Sequence, residues 1–533
     1  MPSAMLADAL AQVRSLLDLL RANWLYALLS PLALHVLACA LECGRRRTAV
    51  AVVVLGDIGR SPRMQYHCSS LASLPDTVVH IVAYRGERCV PSLEARANVR
   101  QHLLGAPFAA CPRRYLAVYA PLKVAWQVLQ LLGALLWMPA PRAVLVQNPP
   151  SIPTLAVVWA VCALRRARMV IDWHNFGYTV LGLSVGDAHP LARLSYVYER
   201  LCAKRAHAHL CVTNSMRLWL QSEWGVRARL LYDRPPPFFK PTGVQDRHEL
   251  FGRLAAQLSL PLLPSAGAAA AEPAVAAAAR GRSSSAGSSA SSTASSRASR
   301  KRSSPPPPQP SPAPPPQPLP QRTLLTEVEP RTGLVRLLPG RPAVLVSSTS
   351  WTADEDFGLL LEALVALDAA ISAPKRRAAF PDFLVLITGK GPLKAAFEAR
   401  VAATPLQRVR IRTLWLAPTD YPLLLGSADC GISMHASSSG LDLPMKVVDM
   451  FGAGLPVCAL GFACLSELVQ HDKNGLIFRT AGELREQLEG LFAGFPDREP
   501  AAGHLARLRQ GVAAGLENRW EENWTDNAEA LFR

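Results

Sequence analysis

The chain alternates between short unbroken apolar runs and longer segments whose apolar residues recur at helical spacing. Thr48 to Leu55 (TAVAVVVL) is the first run. A strand buried on both faces reads this way, without in–out alternation. Val78–Tyr84, Ala143–Val146, Met169–Ile171 and His209–Thr213 repeat the pattern. Between them, Arg63 to His67 opens a helix, and Leu122–Met138 and Ile152–Leu164 read as long apolar helices. Lys123 is the only charge in the first of these, and Arg165, Arg166 and Arg168 close the second. A second series runs through Val344–Val346, a helix at Leu359–Leu367, Phe383–Thr388, Val409–Leu414, Cys430–Met434, a helix at Met445–Phe451, Val457–Leu460 and a last strand ending at Phe478. Strands alternating with helical segments predict two α/β domains, each built on a parallel sheet.

Two stretches stand outside this alternation. Trp24 to Leu41 is an 18-residue run without a formal charge, followed by Arg45-Arg46-Arg47. That length spans a bilayer, and the arginines mark the cytoplasmic flank, so an N-terminal transmembrane helix with a lumenal tail is expected over 1–43. A cleaved signal peptide is the competing reading; the run is long for one and lacks a clear small-x-small cleavage site. From about Leu262 to Gln321 the chain is Ala, Ser and Pro with scattered Arg and Lys. Such a segment cannot bury enough apolar surface to fold and is expected to be a disordered insert. The expected domains are therefore 44–255, an insert at 256–322, 323–500, and a C-terminal helix within 501–533 that carries Trp520 and Trp524 and packs back on the first domain.

Composition changes this picture little. The 533 residues carry a formal charge of +17, which raises nucleic acid as a partner. Much of the excess lies in the insert or beside apolar segments, as suits anionic lipid, and neither zinc-finger spacing nor an aromatic RNA-binding signature is present. Nucleic acid is therefore not expected; a membrane is. Leu122–Met138 and Ile152–Leu164 are either core or membrane-surface helices with snorkelling arginines. The 11 cysteines are scattered without a CxxC pair, so reduced, mostly buried thiols are expected.

Candidate chemistry gathers where strands end, because open α/β sheets bind ligands outside the carboxyl ends of their strands. Gly56-Asp57-Ile58-Gly59 follows the first strand, in a glycine loop that lets a ligand approach the backbone but is not a dinucleotide fingerprint. Asp172, His174 and Asn175 follow Met169–Ile171, a setting suited to acid–base work. In the second series, Ser350 lies in a Ser-rich link, Gly389-Lys390-Gly391 follows a strand, and Ser438-Ser439-Gly440, Asp442, Lys446 and Asp449 occupy a polar loop that feeds a helix. A helix start with free amides favours phosphate. Lys446 is electrostatically wrong for the first turn of a helix, so it is expected to face a bound diphosphate, with Asp449 on the same face reaching a sugar hydroxyl. The bland alternative is an amphipathic helix with a solvated Lys and Asp. Asp354-Glu355-Asp356 precedes a helix, where capping is the expected role and a divalent cation such as Mg2+ the sharper alternative. No other cofactor is indicated.

Five blocks carry a resemblance. VAVVVLGDIGRSPRMQYHC (50–68), VQNPPSIPTLAVVW (146–159), IDWHNFGYTVLGL (171–183), SSTSWTADEDFGLLLEAL (347–364) and SSSGLDLPMKVVDMFGAGLPVCAL (437–460) are similar, in order, to the chitobiosyldiphosphodolichol β-mannosyltransferases. The resemblance implies a GT-B glycosyltransferase: two Rossmann-like domains facing a central cleft. It implies GDP-mannose as donor and GlcNAc2 on dolichyl diphosphate as acceptor. It also implies a single-pass place in the endoplasmic reticulum membrane with the catalytic domains on the cytosolic face, in the setting of other glycosyltransferases of that membrane with which it could form a complex. An α-linked donor giving a β-1,4-mannoside requires inversion, hence one in-line displacement and a general base. Asp57 and His174 are the leading candidates, then Asp172. Related retaining enzymes carry an acid–x7–Glu element; here Asp449 matches its second acid, position 441 is Leu, and the upstream Arg/Lys pair is absent. Lys446, the Ser437–Gly440 amides and Lys390 are expected to replace that clamp. The alternatives are another GT-B transferase using a polyprenyl or phosphatidylinositol acceptor, and a non-catalytic scaffold subunit.

Overall fold

The computed structural model describes residues 48–105, 116–259, 321–352, 355–496, 503–516 and 519–533. The expected anchor over 1–43, most of the insert and Asp354 lie outside the described residues.

Strands β1 (Ala49–Asp57), β2 (Val78–Tyr84), β3 (Val99–Leu104), β4 (Ala143–Asn148), β5 (Arg168–Trp173), β6 (Ala208–Cys211) and β7 (Arg229–Leu230) form one sheet in the order β3-β2-β1-β4-β5-β6-β7, parallel throughout. A small antiparallel hairpin of β8 (Thr326–Val328) and β9 (Val335–Leu337) follows. The second sheet takes β10 (Ala343–Ser348), β11 (Phe383–Thr388), β12 (Val409–Leu414), β13 (Cys430–Ser433), β14 (Val457–Leu460) and β15 (Gly475–Phe478) in the order β12-β11-β10-β13-β14-β15, again parallel. Both sheets reverse direction of growth beside their first strand, between β1 and β4 and between β10 and β13. That reversal opens a crevice at the carboxyl ends of those strands, and the expected pair of Rossmann-like domains is present.

The apolar runs became the central strands. Val50 to Val53 and Ala343 to Val346 are fully excluded from solvent, because helices cover both faces of each sheet. Two helices sit differently from expectation. The first domain was expected to run to residue 255; Leu250, Phe251, Leu254 and Leu258 of helix Val244–Ser259 instead pack with Val344, Val346, Leu384 and Leu386 of the second sheet. The tail also divides. Leu505 and Leu508 of helix His504–Ala514 join the second core, whereas Trp520, Trp524, Ala528 and Phe532 pack against Val50, Val52 and Val170 of the first. The chain thus crosses between domains twice, once each way. The eight described cysteines are all free and buried.

Candidate functional site

One wall of the cleft is organised around Asp172, at the end of β5 and fully buried. Arg63 grips it with two bonds, Nε to Oδ2 at 2.8 Å and Nη2 to Oδ1 at 2.9 Å. Its third nitrogen, Nη1, donates to Asp233 at 2.7 Å and to the Leu231 carbonyl at 2.9 Å. Such a fork is the strong form of a carboxylate hydrogen bond. His67 Nε2 lies 3.1 Å and His174 Nε2 2.8 Å from Asp172 Oδ2. Burial by itself would raise the Asp172 carboxyl, but Arg63 above all, then His174 and His67, hold it well below the ordinary carboxylate range.

The proton positions on the two histidines follow from their partners. Trp524 Nε1–H can only donate, and it lies 2.9 Å from His67 Nδ1. His67 therefore accepts at Nδ1 and carries its hydrogen on Nε2, toward Asp172. Burial pushes this imidazole below its ordinary value, so it stays neutral. An ionised carboxylate only accepts, so His174 likewise donates from Nε2 and leaves its Nδ1 lone pair available. The His174 side chain is 21% exposed, and its Nδ1 makes no hydrogen bond among the described residues. Asp172, the third candidate base, is corrected here: sealed from solvent and already receiving donors at both oxygens, it orients His174 rather than meeting a substrate.

Asp57 has a structural task as well. Its Oδ1 accepts from Gly59 N at 3.0 Å and caps the turn Ile58–Arg60, and its Oδ2 accepts from Glu87 N at 2.9 Å. It pins the loop after β2 to the loop after β1. Gly59 lets that same loop approach, since a Cβ there would sit 2.5 Å from the Glu87 carbonyl oxygen. The close approach expected for a ligand is thus taken by the protein's own backbone. A Cβ on Gly56 would meet Val54 Cγ1 at 3.8 Å, an ordinary contact.

The facing wall is the loop from His435 to Pro444. Asn175 reaches across to it, with Nδ2 donating to Ser438 Oγ at 3.1 Å and Asp442 Oδ1 at 3.0 Å. Asp442 also accepts from the Ser437 and Ser439 hydroxyls, and Gly440 takes a left-handed turn at φ +71°. These residues bind one another and Asn175, which shapes the loop and closes one end of the cleft.

Lys446 lies in the first turn of helix Met445–Gly452 and donates to Glu355 Oε1 at 2.6 Å. Glu355 is buried; its other oxygen accepts from Ser350 N at 3.0 Å and from the Thr349 hydroxyl. The cation that is unfavourable at a helix start is therefore balanced within the protein. It keeps 28% exposure and two further protons to donate. Asp356 caps helix Phe357–Ser372 through Gly358 N and Leu359 N. Glu355 is thus paired and Asp356 caps a helix; among the described residues no three His, Cys, Asp or Glu side chains are grouped as a metal site.

Asp449, one turn on, is partly open and has no side-chain hydrogen bond among the described residues. Burial, then the nearby Asp233 carboxylate, hold its carboxyl well above the ordinary range. The Asp449 carboxylate in turn helps to raise the hydroxyls of Tyr66 in the first domain and Tyr421 in the second, after burial of each. The Gly389-Lys390-Gly391 loop differs from expectation. A Cβ on Gly389 would overlap the Thr349 carbonyl and one on Gly391 the Ser350 carbonyl, so these glycines allow two loops of one domain to pack. Lys390 Nζ sits 3.7 Å from the centre of the Trp415 ring, a cation–π contact.

No protein-family model matches the chain. The chain is 40% identical over 488 residues to the mouse chitobiosyldiphosphodolichol beta-mannosyltransferase, covering 91% of this chain and 88% of that one. It is 39% identical to the human protein of that name, covering 90% and 92%. It is 41% identical to the Arabidopsis thaliana UDP-glycosyltransferase TURAN, covering 91% and 97%. The chain belongs to the chitobiosyldiphosphodolichol β-mannosyltransferase family. Solved structures are similar in fold alone: sucrose-phosphate synthase of Thermosynechococcus elongatus (TM-score 0.53, 12% identity, 90% and 97% of the two chains) and Anabaena Alr3699/HepE with UDP-glucose (TM-score 0.53, 13% identity, 91% and 99%). These likenesses bear out the GT-B fold of two Rossmann-like domains.

In this member of the family the two walls are tied by a residue the sequence reading passed over. Glu467, from the second domain, accepts from Asn214 N at 2.7 Å, Ser215 N at 2.8 Å and Tyr232 OH at 2.9 Å. It seats a carboxylate on the N-terminus of helix Asn214–Trp224, where the dipole favours negative charge. Burial opposes its ionisation, but these hydrogen bonds, the Ser215 hydroxyl first, outweigh burial and hold Glu467 below its ordinary value. The side-chain cap of that helix is Thr213, whose hydroxyl accepts from Met216 N at 2.9 Å. Thr213 also donates to the Leu441 carbonyl at 2.6 Å, a further bridge across the cleft beside those of Asn175 and Glu467.

Proposed function

We propose that this enzyme moves mannose from GDP-mannose to the terminal sugar of GlcNAc2-diphosphodolichol, forming a β-1,4 bond with inversion. The observation that carries the proposal is the His174–Asp172 pair: a partly exposed imidazole at the cleft, held by a buried carboxylate through Nε2, with its Nδ1 lone pair left over. That is the arrangement of a general base with its orienting group. His174 Nδ1 takes the proton from the acceptor hydroxyl. The freed oxygen attacks the anomeric carbon from the face opposite the diphosphate, and the bond from that carbon to the diphosphate oxygen breaks. GDP leaves with the electron pair.

The charge on the leaving diphosphate is met by the start of helix Met445–Gly452, the Ser437–Gly440 amides and the two remaining protons of Lys446. Asp449 accepts from ribose hydroxyls. The assigned donor set therefore differs from the expectation in one member: Lys390, engaged with Trp415, is left out. Asp57 holds the rim of the acceptor side through its two backbone bonds.

The Arabidopsis relative bears the name UDP-glycosyltransferase, which makes a UDP-sugar the competing donor. Purified full-length protein is given radiolabelled GDP-mannose or UDP-GlcNAc with GlcNAc2-diphosphate-phytanyl, and the product is treated with β-mannosidase. Label transfer from GDP-mannose alone, released by β-mannosidase, is expected. Transfer from the UDP-sugar, or a product resistant to β-mannosidase, overturns the proposal, and absence of any transfer by the pure protein favours a scaffold.

A further inference from the structure

Large apolar side chains left exposed are concentrated on one side of the first domain. Of the 24 that are exposed among the described residues, 15 lie between Leu103 and Leu201. Four helices carry nearly all of them: Leu116–Trp137, Thr154–Arg165, Gly177–Val185 and Pro190–Ala203. The first packs on the second, the second touches the fourth, and the fourth pairs with the third, so they form one continuous layer. Its outward side presents Leu122, Leu129, Leu183, Leu191, Leu194 and Leu201, each at least half exposed. Soluble monomers seldom leave contiguous apolar patches larger than roughly a few hundred Å2.

Helix Pro190–Ala203 shows the design most clearly. Ala192, Ser195, Glu199 and Cys202 face the protein, while Leu191, Leu194, Val197 and Leu201 recur at helical spacing on the opposite side. A helix with an apolar outer face as well as a packed inner one needs a second apolar neighbour. The tail of the first helix, Tyr119–Trp137, has the length and hydropathy of a membrane-crossing segment, yet its C-terminal half packs Leu131 and Leu135 into the domain core. It lies along the domain rather than projecting from it.

The charge on this layer names the neighbour. Arg166, Arg193, Arg200, Lys204 and Arg205 are exposed around the leucines. Three carboxylates occur between residues 116 and 205; Asp172 and Glu199 are buried, which leaves Asp187 as the exposed one. The Arg205 guanidinium lies 5.4 Å from the Trp159 ring centre, joining the basic rim to the apolar surface. Leucines with a basic rim match the acyl–headgroup boundary of an anionic bilayer, whereas a protein interface is depleted in charge around its apolar centre.

We propose that the outward side of these four helices is a monotopic docking surface for a bilayer carrying anionic headgroups, separate from any N-terminal anchor. Helix Gly177–Val185 starts two residues after Asn175, so docking brings the membrane surface beside the cleft. The surface itself does not depend on the mannosyl-transfer reading.

The test uses the full chain in phosphatidylcholine–phosphatidylserine vesicles whose acyl chains carry a diazirine, with cross-linked peptides identified by mass spectrometry. Labelling is expected within 177–203 and 119–137 and not in the hairpin 326–337, whose Leu334 is equally exposed. Omitting phosphatidylserine, or substituting Arg193→Glu with Arg200→Glu, is expected to lower labelling of 190–203 several-fold while leaving that of 16–41 unchanged. Label confined to 16–41, equal label in 326–337, or cross-links between copies of the chain in place of lipid label each overturn the proposal. As a second readout, the double Arg→Glu variant is expected to lose transfer to a vesicle-borne acceptor and keep transfer to a water-soluble one. Equal rates on the two acceptors would overturn it, and a protein inactive on both leaves the decision to the lipid labelling.

Discussion

The indole Nε1 of Trp524 donates to His67 Nδ1 across 2.9 Å, between residues 457 positions apart in the chain. Through this bond the C-terminal tail sets a tautomer inside the first domain. His67 then faces Asp172 as a donor, and Asp172 in turn holds His174. Trp524→Phe keeps the ring and removes the N–H. It should cost about 1 kcal/mol of stability, the net worth of one buried hydrogen bond. It should lower kcat by about tenfold, equivalent to roughly 1.4 kcal/mol, with the KM for donor unchanged, because His67 can then protonate Nδ1 and turn its lone pair toward Asp172. Steady-state kinetics beside a thermal melt separate this from simple loss of packing, which would move Tm and leave kcat per folded molecule intact.

If His174 is the base, His174→Ala abolishes most turnover and leaves donor binding alone. The expected loss in kcat is about 10^2–10^4-fold. GDP-mannose affinity measured by calorimetry should match the parent protein. A parallel Asp57→Asn variant should chiefly reduce stability, since both its oxygens hold backbone amides.

Asp172→Ala leaves Arg63 buried against Asp233 alone, and such losses cost about 3–5 kcal/mol. The pH dependence has a definite sign. Asp172 is depressed in the fold, so its contribution is complete above the ordinary carboxylate range and is lost as pH falls through it. His67 is also depressed, from 6.5; below that pH the unfolded ring charges while the folded ring resists, which again favours unfolding. Thermal melts should therefore show stability declining on acidification from about pH 6.5, with the lowest-pH part of the decline missing in Asp172→Asn.

Asp449 titrates in the opposite sense. Its carboxyl is raised, so it takes up its proton at a pH where an ordinary carboxylate is still charged. A ribose hydroxyl bound by the carboxylate should be held less well as that proton arrives. The KM for GDP-mannose is expected to rise in the parent as pH falls through that raised value and to be higher and flat with pH in Asp449→Asn.

Lys446→Ala should raise the donor KM by at least tenfold, roughly 1.4 kcal/mol. Glu355→Gln should do less to donor binding, because it keeps Lys446 in place, yet it weakens the 2.6 Å ion pair that positions the ammonium. A donor KM that responds to Glu355 and not to Lys446 would place the diphosphate elsewhere.

The repeated apolar runs were enough to announce two parallel sheets. Burial on both faces is a local property of a strand, and Val50–Val53 and Val344–Val346 record it in consecutive residues. In the first sheet the marginal strands β3 and β7 were not legible. β3 reads VRQHLL and exposes three of its six side chains, so it carries no continuous apolar signal. The helix start at Met445, the glycine loops and the polar strand ends were likewise visible as short motifs. Their tasks were not: Gly59, Gly389 and Gly391 admit the protein's own backbone.

What the sequence determined by itself was everything encoded in near neighbours: the alternation of strand and helix, the apolar N-terminal run, the low-complexity insert and the motifs of the family. What only the tertiary structure decided was which groups are charged, paired or free to react. Glu355 and Lys446 are 91 residues apart, Arg63 and Asp172 are 109 apart, and Glu467 reaches Asn214 over 253. The reason is physical. A carboxylate becomes a base, an orienter or a latch according to its solvent exposure and the donors within about 3 Å, and folding alone brings those donors to it.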